Sequence, residues 1–309
     1  MFFFPYKVDL PLGRIPFFTI LISVLCIIIY NKQISSIEKI ETSLHEFCNQ
    51  EKNDRDFLLS LTSIKNNELN SCETIIYYIH HSPDPDKTIE QLARVAKPIQ
   101  GVSLGYSKQF ITSNLQEKYK SINPHLNYNL TDKLAYNPSD YNVFNMLSSQ
   151  FVHADIFHLL GNLLFFFAFA ASIEVVLGAL RFILLTVVLS LAVSIAYSLS
   201  TIGADISVPT IGLSGVVMGM IGIFSYLMPS ASIRCLFIFI IYFRTFSIPA
   251  WLLAIWFIGW DSYELLTSSS QSDVNLVAHV SGALFGYILA AIFFRKKKQS
   301  IALHLKNNY

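Results

Sequence analysis

Charge is sorted by position in this chain, and that sorting constrains the fold more than any motif does. Between Asn31 and Asp140 there are 26 Asp, Glu, Lys and Arg residues, but between Gln150 and Phe294 there are nine. The nine are scattered among apolar stretches that approach or reach the roughly 20 residues needed to cross a hydrocarbon core. These stretches run from Phe157 to Val176, Phe182 to Leu199, Thr210 to Met228, Phe246 to Trp260 and Val274 to Phe294, preceded by a shorter uncharged one, Ile15 to Tyr30. No small-residue cleavage site follows Tyr30, so that first stretch is expected to be a retained membrane helix. The expectation is an all-α membrane protein with six crossings. Residues 1–30 would hold the cytoplasmic N-terminus and first helix, 31–150 an enlarged outside-facing helical loop, 151–295 a five-helix core, and 296–309 a basic cytoplasmic tail. Lys plus Arg is 22 and Asp plus Glu is 21, a balance too even for a nucleic-acid binder.

Lys7, Arg14, Arg181, Arg234, Arg244 and the Arg295-Lys296-Lys297-Lys298 run all fall on one side of a six-helix chain. By the positive-inside rule both termini are expected in the cytoplasm, in a bacterial inner membrane. Cys235 to Phe243 is too short to span and is expected to lie in the interface or to re-enter. In the outside segment Ile34, Ile37, Ile40, Leu44 and Phe47 share one helical face, and a second helix is expected over Thr88 to Ala96, after the turn-forming Ser82-Pro83-Asp84-Pro85. Cys48 and Cys72 either form a disulfide in an oxidising compartment or stay as two thiols. Asn129-Leu130-Thr131 fits a glycosylation acceptor if the cell is eukaryotic. His80-His81 lacks nearby carboxylate or Cys partners for a metal.

Chemistry emerges when topology and polar residues are combined. The second, fourth and sixth crossings run from outside to inside, and each carries polar side chains about one turn below its outer end: His158 and Asn162, then Ser214, then His279. At 1.5 Å per residue, Ser214 and His279 lie at matched depths and are able to meet. A serine hydroxyl needs a base within hydrogen-bond reach to attack a carbonyl, and imidazole serves near neutral pH. Gly215 and Gly219 form one small-residue stripe, and Gly282 and Gly286 another on the face that carries His279, as in close-packed membrane helices. A membrane Ser also commonly bonds a neighbouring carbonyl, and glycine stripes serve packing alone. Intramembrane His279 is the stronger pointer to function.

Gly212-Leu213-Ser214-Gly215, Ala278-His279 followed by Gly282 and Gly286, and His153, His158 and Asn162 upstream together resemble the rhomboid intramembrane serine proteases. Glu174, four residues before Gly178, also fits. The resemblance covers about His153 to Phe294 and implies a six-helix rhomboid-like bundle with a Ser-His dyad. Ser214 would be the nucleophile, and His279 the general base and then acid. His158, the Asn162 amide and the backbone N–H groups of Leu213 and Ser214 would stabilise the oxyanion, and Gly212 would let the substrate backbone approach. No carboxylate is expected to orient His279, because Asp205, Asp261 and Asp273 fall in loops or at helix ends. Glu174, at the opposite face, is expected to be structural, bonding loop backbone or pairing with Arg181, and His153 is expected to be structural too. No cofactor and no metal are implied.

Two departures from the family pattern stand out. A Trp-Arg pair is common in the family's first outside loop, but the 3 Trp here are Trp251, Trp256 and Trp260, so that loop is replaced or enlarged. Met218 stands four residues after Ser214, where many members place a Tyr against the catalytic His; its thioether can still reach the ring. Leu266 to Asp273 is expected to form a flexible lid. The fifth crossing, with Phe246, Trp251 and Phe257, is either a lateral gate or a lipid-facing aromatic surface. The expected activity is endopeptidase cleavage of single-pass membrane proteins near the outer end of their spanning helix. Its partners would be transmembrane substrates and the lipid bilayer, with no nucleic acid. The alternative is a non-proteolytic rhomboid-like protein that holds membrane clients. A transporter would show charges or broken helices near the midplane, and neither is evident.

Overall fold

No Gly or Pro interrupts the sequence from Phe17 to Gln50, and in the computed structural model that whole stretch is one helix. The structure describes all residues except 1, 9–12, 83, 127–128, 204–207, 240–241, 268–273 and 308–309. After strand β1 (Phe2–Val8), helix α1 (Phe17–Gln50) begins in one unit, Met1–Asn31 with Thr131–Tyr309, and ends in the other, Lys32–Leu130. The expected first crossing is thus the apolar half of a longer helix.

Unit Lys32–Leu130 packs the end of α1 with α2 (Arg55–Ile64), α3 (Cys72–His80), α4 (Pro85–Val95) and α5 (Leu104–Ile122). Each of α2 to α5 starts at a side-chain cap, from Asp54, Ser71, Asp84 and Ser103, which accepts the backbone N–H groups that a first turn leaves unpaired. The core is Ile40, Leu44, Phe57, Ile75, Ile76, Ile79 and Leu115. Cys48 and Cys72 form a disulfide between the end of α1 and the start of α3. Lys118 of α5 bonds Glu51 and Asp54. Its hydrogen bond and those of backbone N–H groups hold the Asp54 carboxyl below its ordinary range. Asn129 is buried and its amide bonds the His81 ring, so it is not placed as an exposed glycosylation acceptor. His80 meets the Tyr119 hydroxyl at 3.3 Å.

The other unit continues through α6 (Leu130–Leu134), α7 (Val143–Ser148), α8 (Ile156–Leu177), α9 (Ala179–Ser200), α10 (Ser214–Leu227), strands β2 (Ser232–Phe239) and β3 (Tyr242–Pro249), α11 (Ala250–Thr267), α12 (Leu276–Phe293) and α13 (Arg295–Asn307). The expected loop of 31–150 therefore gives up its last part to this unit. Tyr136, fully buried, exchanges backbone hydrogen bonds with Thr210 and bonds Ser198 through its hydroxyl.

Among the described residues four helices are long and apolar enough to cross a membrane: α1 in its apolar half, α8, α9 and α12. The protein is an integral membrane protein by this measure, but two of the six expected crossings fall short of it. Helix α10 has 14 residues, about 21 Å against a core of roughly 30 Å. The stretch from Phe246 to Trp260 is split between β3 and α11, which runs on to Thr267.

The expectation of an all-α fold also needs correcting. The described part of Cys235 to Phe243 lies in an antiparallel sheet of order β1-β2-β3. Ile233 and Cys235 are buried while Ser232 and Arg234 are exposed, the alternation of a strand with one covered face.

Helices α10 and α12 meet through backbone. A Cβ at Gly282 would fall 2.2 Å from the Gly215 carbonyl oxygen, and one at Gly286 would fall 2.0 Å from that of Gly219. Gly222 backs onto the Ala283 oxygen in the same way, and Gly219 turns its own α-carbon toward Leu189 of α9. The two expected stripes do mesh. Elsewhere, buried Glu174 of α8 accepts hydrogen bonds from Phe18 N (2.9 Å), Thr19 N (2.7 Å) and Thr19 Oγ1 (2.7 Å). It supplies the anion that the first turn of α1 lacks, and Arg181 instead donates to the Leu177 carbonyl.

Gly286→Ala is expected to lower stability by about 2 kcal/mol or more, because backbone cannot yield as a side chain does. Gly259→Ala on α11, where a Cβ meets nothing within 4 Å, should be neutral within about 0.5 kcal/mol. Thermal unfolding of both variants in detergent checks this, and equal midpoints would refute the close contact.

Candidate active site

The loop before α10 is pinned from two sides. Thr210 pairs with Tyr136, and the Gly212 N–H donates to the Ser149 carbonyl at 2.9 Å. Gly212 has a φ of +108°, and a Cβ there would fall 2.8 Å from Cε1 and 2.9 Å from Nε2 of His158, and 3.6 Å from Nδ2 of Asn162. Glycine is thus required both for its backbone conformation and for space. Ser214 opens α10 two residues later, so its N–H and that of Leu213 lie in the turn that has no intrahelical acceptors.

His158 and Asn162 come from the first two turns of α8, which Asp155 caps by accepting from Phe157 N and His158 N. The Ala154 N–H approaches His158 Nδ1 at 3.5 Å. In the neutral ring the proton is then on Nε2, the atom that faces Gly212. Asn162 Nδ2 is buried and has no hydrogen-bond partner among the described residues. His153 stands edge-on to His158 with ring centroids 5.3 Å apart, and its Nδ1–H donates to the Phe151 carbonyl. Burial first, and then the neighbouring His158 charge, push His153 down from 6.5 to about 4.

His279 lies in the first turns of α12. Asn275 caps that helix, accepting from Ala278 N and donating to Thr210 Oγ1, both at 3.0 Å. It therefore ties the loop before Ser214 to the helix of His279. Gly215 and Ala278, the chain neighbours of Ser214 and His279, are in contact. His279 Nε2 is buried and has no hydrogen-bond partner among the described residues, so the Ser214 hydroxyl is not bonded to it here. Met218 is buried in the helical core.

The other imidazole nitrogen overturns one expectation. Nδ1 of His279 lies 2.8 Å from Oδ2 of Asp261, so a carboxylate does meet the ring. The sequence conceals this because its apolar run stops at Trp260, which puts Asp261 beyond a helix end, whereas α11 continues to Thr267 and carries Asp261 inside it. Asp205 and Asp273 lie outside the described residues, as does 268–273 of the expected lid. Of the candidate gate residues, Phe246 is in β3, Trp251 is exposed on α11, and Phe257 packs edge-on against Phe165 of α8 at 5.2 Å. Gln150 and Ser194 are further residues that sequence reasoning misses. They line a small cavity with Thr210, Gly212, Ser214 and Asn275, and among the described residues Gln150 Oε1 and Ser194 Oγ have no hydrogen-bond partner.

Comparison with known proteins adds independent findings. The Rhomboid domain family model matches residues 140–296, just over half of the chain, with His158, Asn162, Ser214 and His279 among them. Rhomboid protein 1, mitochondrial, from Saccharomyces cerevisiae is 28% identical over 163 residues, 51% of this chain and 45% of that relative. The chain thus spans about half the length of the relative it matches.

Because folded His153 refuses a proton until about pH 4, the stability that its burial permits is complete above pH 6.5. It is lost as pH falls from 6.5 through 4, by about 3 kcal/mol in all. His153→Asn should flatten the drop in melting temperature between pH 7.5 and 4.5; an unchanged drop would assign the acid sensitivity elsewhere.

Proposed function

The chain belongs to the rhomboid family, and from that premise we propose that it is an intramembrane serine endopeptidase with Ser214 as nucleophile and His279 as general base. Its substrates are single-pass membrane proteins, cut near the outer end of their spanning helix. The observation that supports this most is the closeness of His158 and Asn162 to the Gly212 backbone, two residues before Ser214. Donors gather there beside a hydroxyl at a helix N-terminus, the arrangement an acyl-transfer transition state needs. A protein that only held clients would have no use for it.

In the proposed reaction Ser214 Oγ attacks the scissile carbonyl while His279 Nε2 takes its proton. The new oxyanion is met by the Leu213 and Ser214 N–H groups, Asn162 Nδ2 and His158 Nε2–H. The protonated imidazole then gives its proton to the leaving amine, and water, activated by the same nitrogen, hydrolyses the acyl-enzyme. The unbonded Gln150 and Ser194 oxygens offer that water a polar site. Contact between Ser214 and His279 tightens in the substrate complex, as such hydrogen bonds commonly do. Met218 is proposed to pack against the His279 ring.

The reaction needs no cofactor. Substrate segments weakened by Gly, Pro or Ser unwind most readily to present their amide. The proposed orientation has six crossings with α10 and α11 among them, both termini in the cytoplasm and residues 32–130 outside, the periplasm if the membrane is a bacterial inner one. An oxidising compartment there agrees with the Cys48–Cys72 disulfide.

Ser214→Ala and His279→Ala should each reduce cleavage of a generic transmembrane substrate by about 10³-fold or more, and the double variant should lose little further, since the two residues act as a unit. Substantial turnover by Ser214→Ala in a gel-based assay with purified protein would defeat the serine-protease reading.

A further inference from the structure

We infer that Asp261 is a positioning residue for His279, so that in this chain a carboxylate orients the base of the Ser-His pair. The inference rests on the protease reading above and goes beyond it.

The first support is placement. Ala250, Leu253 and Ala254 are the buried residues of α11, and Phe257 packs onto Phe165. Asp261 falls four residues after Phe257, on the same stripe, at a position where helical spacing calls for another apolar side chain. Its side chain is 17% exposed and that of His279 is 15% exposed. A carboxylate is retained on an inward stripe at a considerable desolvation cost, and among the described residues it meets the Nδ1 of His279.

The second support is tautomer chemistry. An ionised carboxylate can only accept, so the hydrogen of the neutral ring is on Nδ1 and the lone pair is on Nε2. Among the described residues Nε2 is the nitrogen left without a partner, and it is the one needed as base toward Ser214. Met218 carries no acceptor able to fix that choice.

The third support is electrostatic. When His279 takes the Ser214 proton it becomes a cation in the first turns of α12, close to the positive end of that helix dipole. The N-terminus of α10 begins at Ser214, so a second helix end brings partial positive charge to the same place. The Asp261 carboxylate at 2.8 Å is the countercharge. No proton needs to pass to it: the O–H bond of Ser214 breaks, the N–H bond forms at Nε2, and Asp261 stays ionised throughout.

The test measures kcat and KM separately for full-length wild type, Asp261→Asn, Asp261→Glu and Ser214→Ala on one transmembrane substrate in detergent. Asp261→Asn should lower kcat by about 10²- to 10⁴-fold with KM within about twofold. Asp261→Glu should recover part of kcat. An Asn variant with wild-type kcat overturns the proposal. Nitrogen NMR of histidine-labelled Ser214→Ala protein decides the matter without altering Asp261, so misfolding of the Asn variant does not leave it open. An Nδ1–H tautomer at His279 upholds the proposal and an Nε2–H tautomer overturns it. Absence of Ser214-dependent cleavage in wild type would sink the protease reading alone, and the tautomer would still decide the role of Asp261.

Discussion

The backbone contact between α10 and α12 is the constraint on which the rest of the membrane unit depends. In lipid there is little hydrophobic drive to bring two apolar helices together, so association rests on close van der Waals packing and on polar contacts. Glycines at 215, 219 and 222 on one helix and 282 and 286 on the other remove the side chains that would hold the axes apart. The effect is chemical as well as mechanical. Ser214 is the residue before the first glycine of α10, and His279 comes three residues before the first of α12, so the packing that joins the helices also brings together the turns that carry the proposed nucleophile and base.

All four side chains proposed for chemistry occupy the opening turns of their helices: His158 and Asn162 in α8, Ser214 in α10, His279 in α12. Helix N-termini present unpaired N–H groups and a positive field. That field suits an oxyanion and opposes a protonated base, and a site built wholly from such ends needs one anion placed with care. Asp155 caps α8 through the backbone of His158 and its neighbour, while Asp261 approaches from a different helix altogether. Glu174 applies the same rule at the other end of α8, where it serves the first turn of α1.

Much of this is legible in the sequence because it is periodic. Glycine stripes and the place of His279 on the glycine face come from 3.6 residues per turn, whereas the expected depth of Ser214 one turn into its helix does not hold, since α10 begins at Ser214 itself. The features that stay hidden depend on where elements stop and on partners far away in the chain. The apolar run ends at Trp260, but a charge does not end a helix, and no Gly or Pro comes until well past Glu264; hydropathy alone therefore puts Asp261 at a helix end and hides its meeting with His279. The same reasoning cuts α1 at Tyr30, although nothing in Asn31–Gln50 breaks a helix. The sheet is hidden because the strand alternation in Ser232 to Cys235 is brief and the partner strand lies near Phe2. Asn275 and Gln150 carry no motif, and only tertiary contact reveals them.

The register of that sheet pairs Phe2 with Ile238 and Val8 with Ile233, and this has a consequence in time. A growing chain makes β1 first and must add more than 220 further residues before β2 exists, roughly 10 to 50 seconds at ordinary synthesis rates. Throughout that interval the early strand has an unpaired edge, while α1, α8 and α9 are already emerging. Glu174 appears earlier than β2 and is able to secure the first turn of α1 meanwhile. Final closure of the sheet therefore belongs to the last stages of assembly, after α10 has been made and before α12.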